Sequence, residues 1–170
     1  QQVLSPAKIV TDMNNSISDN NESNMFVTLI VGILDLETGK LKLCNAGHNP
    51  PILIRPDGQV SFLEFKTQIF VGVIEEFAYT EDETTLEKGS KLFLYTDGVT
   101  EAENTEKELY GDEKLLKTLS DNNTSDVRTT VNGIEDSVAD HVKEAEASDD
   151  LTILLIQYEP GQQTIKHVSL

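Results

Sequence analysis

Short apolar runs joined by tight turn signals dominate the chain from residue 25 to residue 96, and they confine it to folds built from hairpins. Residues 25–34 are nearly continuously apolar, with Val27, Thr28, Ile30, Val31 and Ile33, the pattern of a strand buried on both faces. Glu37-Thr38-Gly39-Lys40 turns the chain, and residues 41–46 read as the return strand. Residues 52–54 and 60–65 make a second hairpin around Pro56-Asp57-Gly58. Weaker strands are expected at 71–74 and 84–86, and a clear one at 91–96 with alternating Leu92 and Leu94. Hairpins are frequent and βαβ alternation is absent, so the predicted class is α+β with a mostly antiparallel sheet.

Helical spacing appears on either side of this region. Ser5-Pro6 reads as an N-cap with proline at the first helical position. Ile9, Val10, Met13 and Ile17 then share one face, and Asp19-Asn20-Asn21 ends the helix. Residues 111–119 predict a short helix with Leu115, Leu116 and Leu119. Ser125 is expected to cap a longer one, running to 144, in which Val127, Val131, Ile134, Val138 and Val142 form one apolar stripe. Residues 151–156 predict a last buried strand, and the polar tail from Gly161 is expected to fray. The expected organisation is one domain over residues 1–160 followed by a polar tail, 161–170.

Charge limits the partners. A net charge of -17 over 170 residues argues against nucleic acid, whose phosphates want lysine and arginine, and against anionic membrane surfaces. An acidic surface suits basic partners, or a site where cations offset clustered carboxylates. The single cysteine, Cys44, permits no internal disulfide, fits a reducing compartment, and reads as a small buried hydrophobe. No run of about 18 apolar residues predicts a membrane span, and no signal peptide is recognisable. The chain opens on Gln1-Gln2, so it is expected to be a piece of something longer.

Two nucleotide or metal signatures fail on spacing. Gly39-Lys40 is not a phosphate loop, because six residues separate it from Gly32 and Leu41 follows the lysine. Asp97-Gly98 is not an EF-hand loop, since alternating oxygen ligands do not lead up to the glycine. His141 is expected at the surface near a helix end, and His167 lies in the tail.

Carboxylates at strand ends carry the chemistry. Asp97 ends a strand, and Gly98 lets the backbone turn sharply beside a ligand. Asp149-Asp150 immediately precede a buried strand, where adjacent carboxylates resist desolvation unless cations or hydrogen bonds offset the cost. Converging on one hard cation, these oxygens would favour Mg²⁺ or Mn²⁺ over Zn²⁺. The alternative is a turn aspartate at 97 and a solvated strand cap at 149–150.

Four segments together carry a resemblance: Met25-Phe26-Val27-Thr28, Asn45-Ala46-Gly47-His48-Asn49-Pro50-Pro51, Tyr95-Thr96-Asp97-Gly98-Val99-Thr100-Glu101-Ala102, and Asp149-Asp150-Leu151-Thr152. Their order and spacing over residues 5–158 resemble the SpoIIE/RsbU branch of the PP2C-like (PPM-type) serine/threonine protein phosphatases. The resemblance implies an α-β-β-α sandwich of two mostly antiparallel sheets flanked by helices. It implies cytoplasmic signal transduction in which a water activated by two Mn²⁺ or Mg²⁺ ions hydrolyses phosphoserine or phosphothreonine. The implied substrate is a regulatory protein of STAS type in sigma factor regulation, with a sensor domain upstream. Asp97 and Asp149 are the implied catalytic metal ligands. Asp150 supports them or holds an extra weak ion, Gly98 and Glu101 shape the loop, and His48 is a phosphate-contacting or structural candidate. The family's GGDxxD-like strand has no counterpart before Ser5. Its N-terminal strands and bridging aspartate are therefore expected to be missing, sheet edges open to a homodimer, and these residues alone inactive. The alternative is a non-catalytic partner-binding module of the same pathway.

Overall fold

The computed structural model describes residues 4–19, 21–123, 126–145 and 150–161, with the backbone of Val168–Ser169. The fold is α+β, with two sheets and helices in two compact units, Gln1–Pro50 with Glu64–Leu86 and Pro51–Leu63 with Glu87–Leu170.

In the first unit, helix α1 (Pro6–Ser18) starts at Ser5, whose side chain accepts from the Lys8 amide. Glu81 locks that start: its carboxylate accepts from the Ser5 hydroxyl, the Ala7 amide and the Lys42 ammonium. An anion there also meets the positive end of the helix dipole. The sheet centres on β2 (Lys40–Ala46), flanked antiparallel by β1 (Leu29–Leu34) and β6 (Asp82–Thr85), with β5 (Thr67–Gln68) parallel to its end. Val10, Cys44, Ala46, Val71 and Tyr79 form its core.

Three expectations are corrected here. The buried face of α1 is Pro6, Val10, Asn14 and Ser18, and Met13 is exposed. Asn14 can be buried because its amide donates to the Ile74 carbonyl at 2.8 Å and accepts from the Gly72 amide at 2.9 Å. The apolar run at 25–34 is not a strand buried on both faces. Only Leu29–Leu34 pairs with β2, at the sheet's edge among the described residues and only partly buried, while Met25, Phe26 and Val27 are exposed. Asn21, bonded to both backbone groups of Met25, and Asn24 at φ 50° divert the chain before it reaches β2. Residues 71–74 are a turn that touches Val27 through one bridge at Val71, because Gly72 at φ +96° breaks the strand.

The second unit is an antiparallel sheet in the order β4 (Val60–Phe62), β3 (Ile52–Ile54), β7 (Lys91–Tyr95), β8 (Ile153–Gln157), β9 (Val168–Ser169). The tail expected to fray thus pairs Val168 with Leu154, while 162–167, including His167, lie outside the described residues. Helix α2 (Asp112–Asp121) begins with acidic Asp112 and Glu113, and α3 (Val127–Val142) is capped by Asp126, which accepts from the Thr129 amide. The expected cap, Ser125, lies outside the described residues. The stripe of α3 packs as expected: Val127, Val131, Ile134 and Val138 are buried with Phe93, Ile153 and Leu155, and Val142 lies partly buried against them. Each fully buried aliphatic side chain contributes roughly 1.5–3 kcal/mol.

His141, near the end of α3, is half-buried. Its Nδ1 meets the Lys114 ammonium and its Nε2 the Glu108 carbonyl, both at 3.0 Å. A lysine only donates and a carbonyl only accepts, so both ring nitrogens are occupied and His141 ties α3 to Lys114 and to the Glu108 backbone.

Candidate metal centre

β7 and β8 run antiparallel with Tyr95 opposite Ile153, so the end of one strand lies beside the start of the other. That register brings Asp97-Gly98 to the segment Asp150-Leu151-Thr152. The Thr96 amide donates to the Thr152 carbonyl at 3.1 Å, and the Thr152 amide donates back to the Thr96 hydroxyl at 3.0 Å. The same hydroxyl donates to the Asp150 carbonyl at 3.2 Å. Gly98 is buried against that carbonyl so closely that a β-carbon would overlap its oxygen. Glycine is needed here for the close approach of the Asp150 backbone.

The loop after Asp97 is anchored from below. Val99 and Ala102 are buried in the second unit's core, and Thr100 is buried beside them. The Val99 amide donates to the Thr96 carbonyl, and the Glu101 amide and Thr100 hydroxyl to the Asp97 carbonyl. Glu101 therefore meets the loop through its backbone amide. The side chains of Asp97 and Asp150 are exposed on this pinned frame.

Asp149 lies outside the described residues. Asp97 and Asp150 offer hard oxygen donors, which suit Mg²⁺ or Mn²⁺ in kind. Among the described residues, no group of three or more His, Cys, Asp or Glu side chains gathers to hold an ion. These donors fit such a cation in chemistry, and the described residues alone do not complete its shell.

His48 stands on its own turn in the first unit. Asn45, almost fully buried, accepts from the His48 amide at 2.8 Å and donates to the His48 carbonyl at 2.9 Å. Gly47 takes φ +76°, with Phe70 where a β-carbon would sit. The imidazole Nδ1 lies 3.2 Å from the Thr28 hydroxyl. Thr96, which joins the two acidic segments, was not singled out from the sequence. A hydroxyl one residue before the strand-end aspartate was the available signal.

A family profile described as Stage II sporulation protein E (SpoIIE) matches residues 1–159. Protein IcfG of Synechocystis sp. is 28% identical over 155 residues, covering 91% of this chain and 24% of that protein. Phosphoserine phosphatase RsbU of Bacillus subtilis is 24% identical over 155 residues, covering 91% of this chain and 45% of that protein. The chain thus spans less than half the length of either relative. The SiaA-PP2C domain of Pseudomonas aeruginosa superposes with a TM-score of 0.78 at 19% identity, over 91% of this chain and 61% of that one, a likeness of fold. Two further structural neighbours, with TM-scores of 0.64 and 0.57, were crystallised with manganese and magnesium.

Proposed function

The chain belongs to the SpoIIE family of PP2C-like phosphatases, and from that premise we propose that it is part of a metal-dependent protein serine/threonine phosphatase. Its substrate is phosphoserine or phosphothreonine on a regulatory protein, of STAS type, in a cytoplasmic sigma-factor pathway under an upstream sensor. Residues 1–160 are the phosphatase segment and 161–170 a tail. The name of RsbU supports the activity, and the metal-bearing neighbours support a divalent cation. No described helix is long and apolar enough to cross a membrane.

One observation carries the reading: the two acidic strand ends are stitched together through Thr96, Thr152 and Gly98. In this assignment Asp97 and Asp149 hold the cation, with Asp150 supporting or binding an extra ion. A bound divalent pair lowers the pKa of its water and stabilises the attacking and leaving oxygens at phosphorus. The chain's own part is to present its carboxylates from a frame that does not reorganise, which is what makes electrostatic stabilisation effective. Gly98 keeps the loop against the Asp150 backbone, and Glu101 closes it.

The test is phosphate release from a phosphoserine peptide with millimolar Mn²⁺, using the longest natural polypeptide that carries these residues. Asp97→Asn is expected to lose at least about a hundredfold in kcat, the loss of a group acting on developing charge. An unchanged rate in that variant overturns the assignment. The second reading is a partner-binding module without turnover. No Mn²⁺-dependent release from that polypeptide would select it.

A further inference from the structure

We propose that the first unit carries a docking surface for a protein segment that combines apolar anchors with a lysine or arginine. Met25, Phe26, Val27, Phe70, Val73 and Ile74 are each between 37% and 68% exposed. They are not scattered. Val27 and Val71 exchange backbone hydrogen bonds of 3.0 and 2.9 Å, and the rings of Phe26 and Phe70 lie 4.8 Å apart. The Asn21 amide ties the Met25 carbonyl to the Gly72 carbonyl, at 2.6 and 3.0 Å. The two segments therefore form one pinned apolar ridge. A contiguous apolar surface of this kind marks an interaction site, and aromatic rings are the usual anchors.

Beside the ridge lies a cleft of about 290 Å³ lined by Asn15, Asp19, Glu75 and Glu76. Glu75 and Glu76 directly follow Ile74, at one end of the ridge. Asp19 is the C-cap of α1, whose carbonyl end is already partly negative, and the last turn holds no basic residue. None of these three carboxylates enters an ion pair among the described residues. An apolar ridge ending in unneutralised acid is complementary to apolar side chains flanked by a cation, and it repels nucleic acid and anionic lipid alike.

The probe is a fluorescein-labelled synthetic peptide in which leucine and phenylalanine alternate with arginine. Its two controls replace arginine by glutamate, or the apolar residues by serine. Titration into the longest natural polypeptide that carries these residues, followed by anisotropy, is expected to show binding of the first peptide only, weakening with salt. Binding by the 170-residue chain but not by that polypeptide overturns the proposal, because the upstream segment would then cover the ridge. Phe26→Ser with Ile74→Ser, and separately Glu75→Lys, should each weaken it about tenfold or more, as loss of an anchor does. Leu109→Ser, an exposed apolar residue of the other unit, should leave it unchanged. Glu75→Lys lies in an exposed turn, so it still decides the matter if circular dichroism shows the double variant misfolded. Equal binding of all three peptides overturns the proposal, as does equal binding by the Glu75→Lys variant. So does a dimer, seen by sedimentation, that Phe26→Ser abolishes, because the ridge would then belong to a second copy.

Discussion

Thr96 and Thr152 hold each other through reciprocal hydrogen bonds, amide to carbonyl at 3.1 Å in one direction and amide to hydroxyl at 3.0 Å in the other. The Thr96 hydroxyl is shared, since it also donates to Asp150 at 3.2 Å. Thr96→Val keeps the shape and removes both bonds, leaving the Thr152 amide without this acceptor. A cost of about 1–2 kcal/mol is expected, read as a lower urea midpoint at unchanged slope. An unchanged midpoint would mean that the backbone pairing alone holds the two acidic segments together.

Gly98→Ala tests the other contact of the same pair of segments. The added methyl would overlap the Asp150 carbonyl, which is backbone and cannot swing away. Overpacking against backbone is expected to cost about 1–3 kcal/mol in chemical denaturation. Phosphatase activity of the longer polypeptide should fall more than stability does, because the shift falls on the residues that carry the carboxylates.

These contacts explain which parts were legible in the residues. The α3 stripe and the two hairpins were, because helical period and turn chemistry are local. The run at 25–34 was not, because apolar composition does not distinguish a central strand from an edge strand with an exposed lead-in. Asn14 sat unnoticed on the buried face of α1, because its partners, Gly72 and Ile74, are supplied by a distant turn. For the site, the aspartates could be named, but which strand ends lie beside each other depends on the Tyr95–Ile153 register, a tertiary fact.

Glu81 links pH to the first unit. The Ser5 hydroxyl, then the Ala7 amide and Lys42, hold its carboxyl below the ordinary value of 4.5, against the opposing effect of burial. A carboxylate favoured in the folded state adds stability above its unfolded pKa and loses it as pH falls through the folded one. Stability should therefore decline below about pH 4.5, and Glu81→Gln should flatten that decline. At pH 7 the variant should lose about 1 kcal/mol, since partial exposure screens the interaction.

Cys44 gives the opposite sign. Burial pushes its thiol up from 9.0 to about 11. At pH 8 the native protein should react with a disulfide reagent only as fast as it opens, and freely in denaturant. The unfolded thiol ionises first, so stability should fall as pH rises from 9 towards 11. Cys44→Ala should remove that part of the alkaline loss, measured by urea melts across the range.

Metal affinity is the sharpest test of the proposed chemistry. Two ions about 3.5–4 Å apart need a shared ligand as well as terminal ones. The 170 residues contain no GGDxxD-like segment, and the described ones gather no third ligand around Asp97 and Asp150. An incomplete oxygen shell leaves most of the coordination to water, which Mg²⁺ and Mn²⁺ retain readily. The 170-residue chain is therefore expected to bind Mn²⁺ weakly, with Kd on the order of millimolar, and to release phosphate near the background rate. Electron paramagnetic resonance of free Mn²⁺ gives the affinity without relying on activity, and Asp97→Asn should weaken it further. Tight binding of two ions by this chain, or a turnover rate equal to that of the longer polypeptide, would show that its own residues complete the centre. The assignment of Asp97 and Asp149 as only part of the shell would then fall.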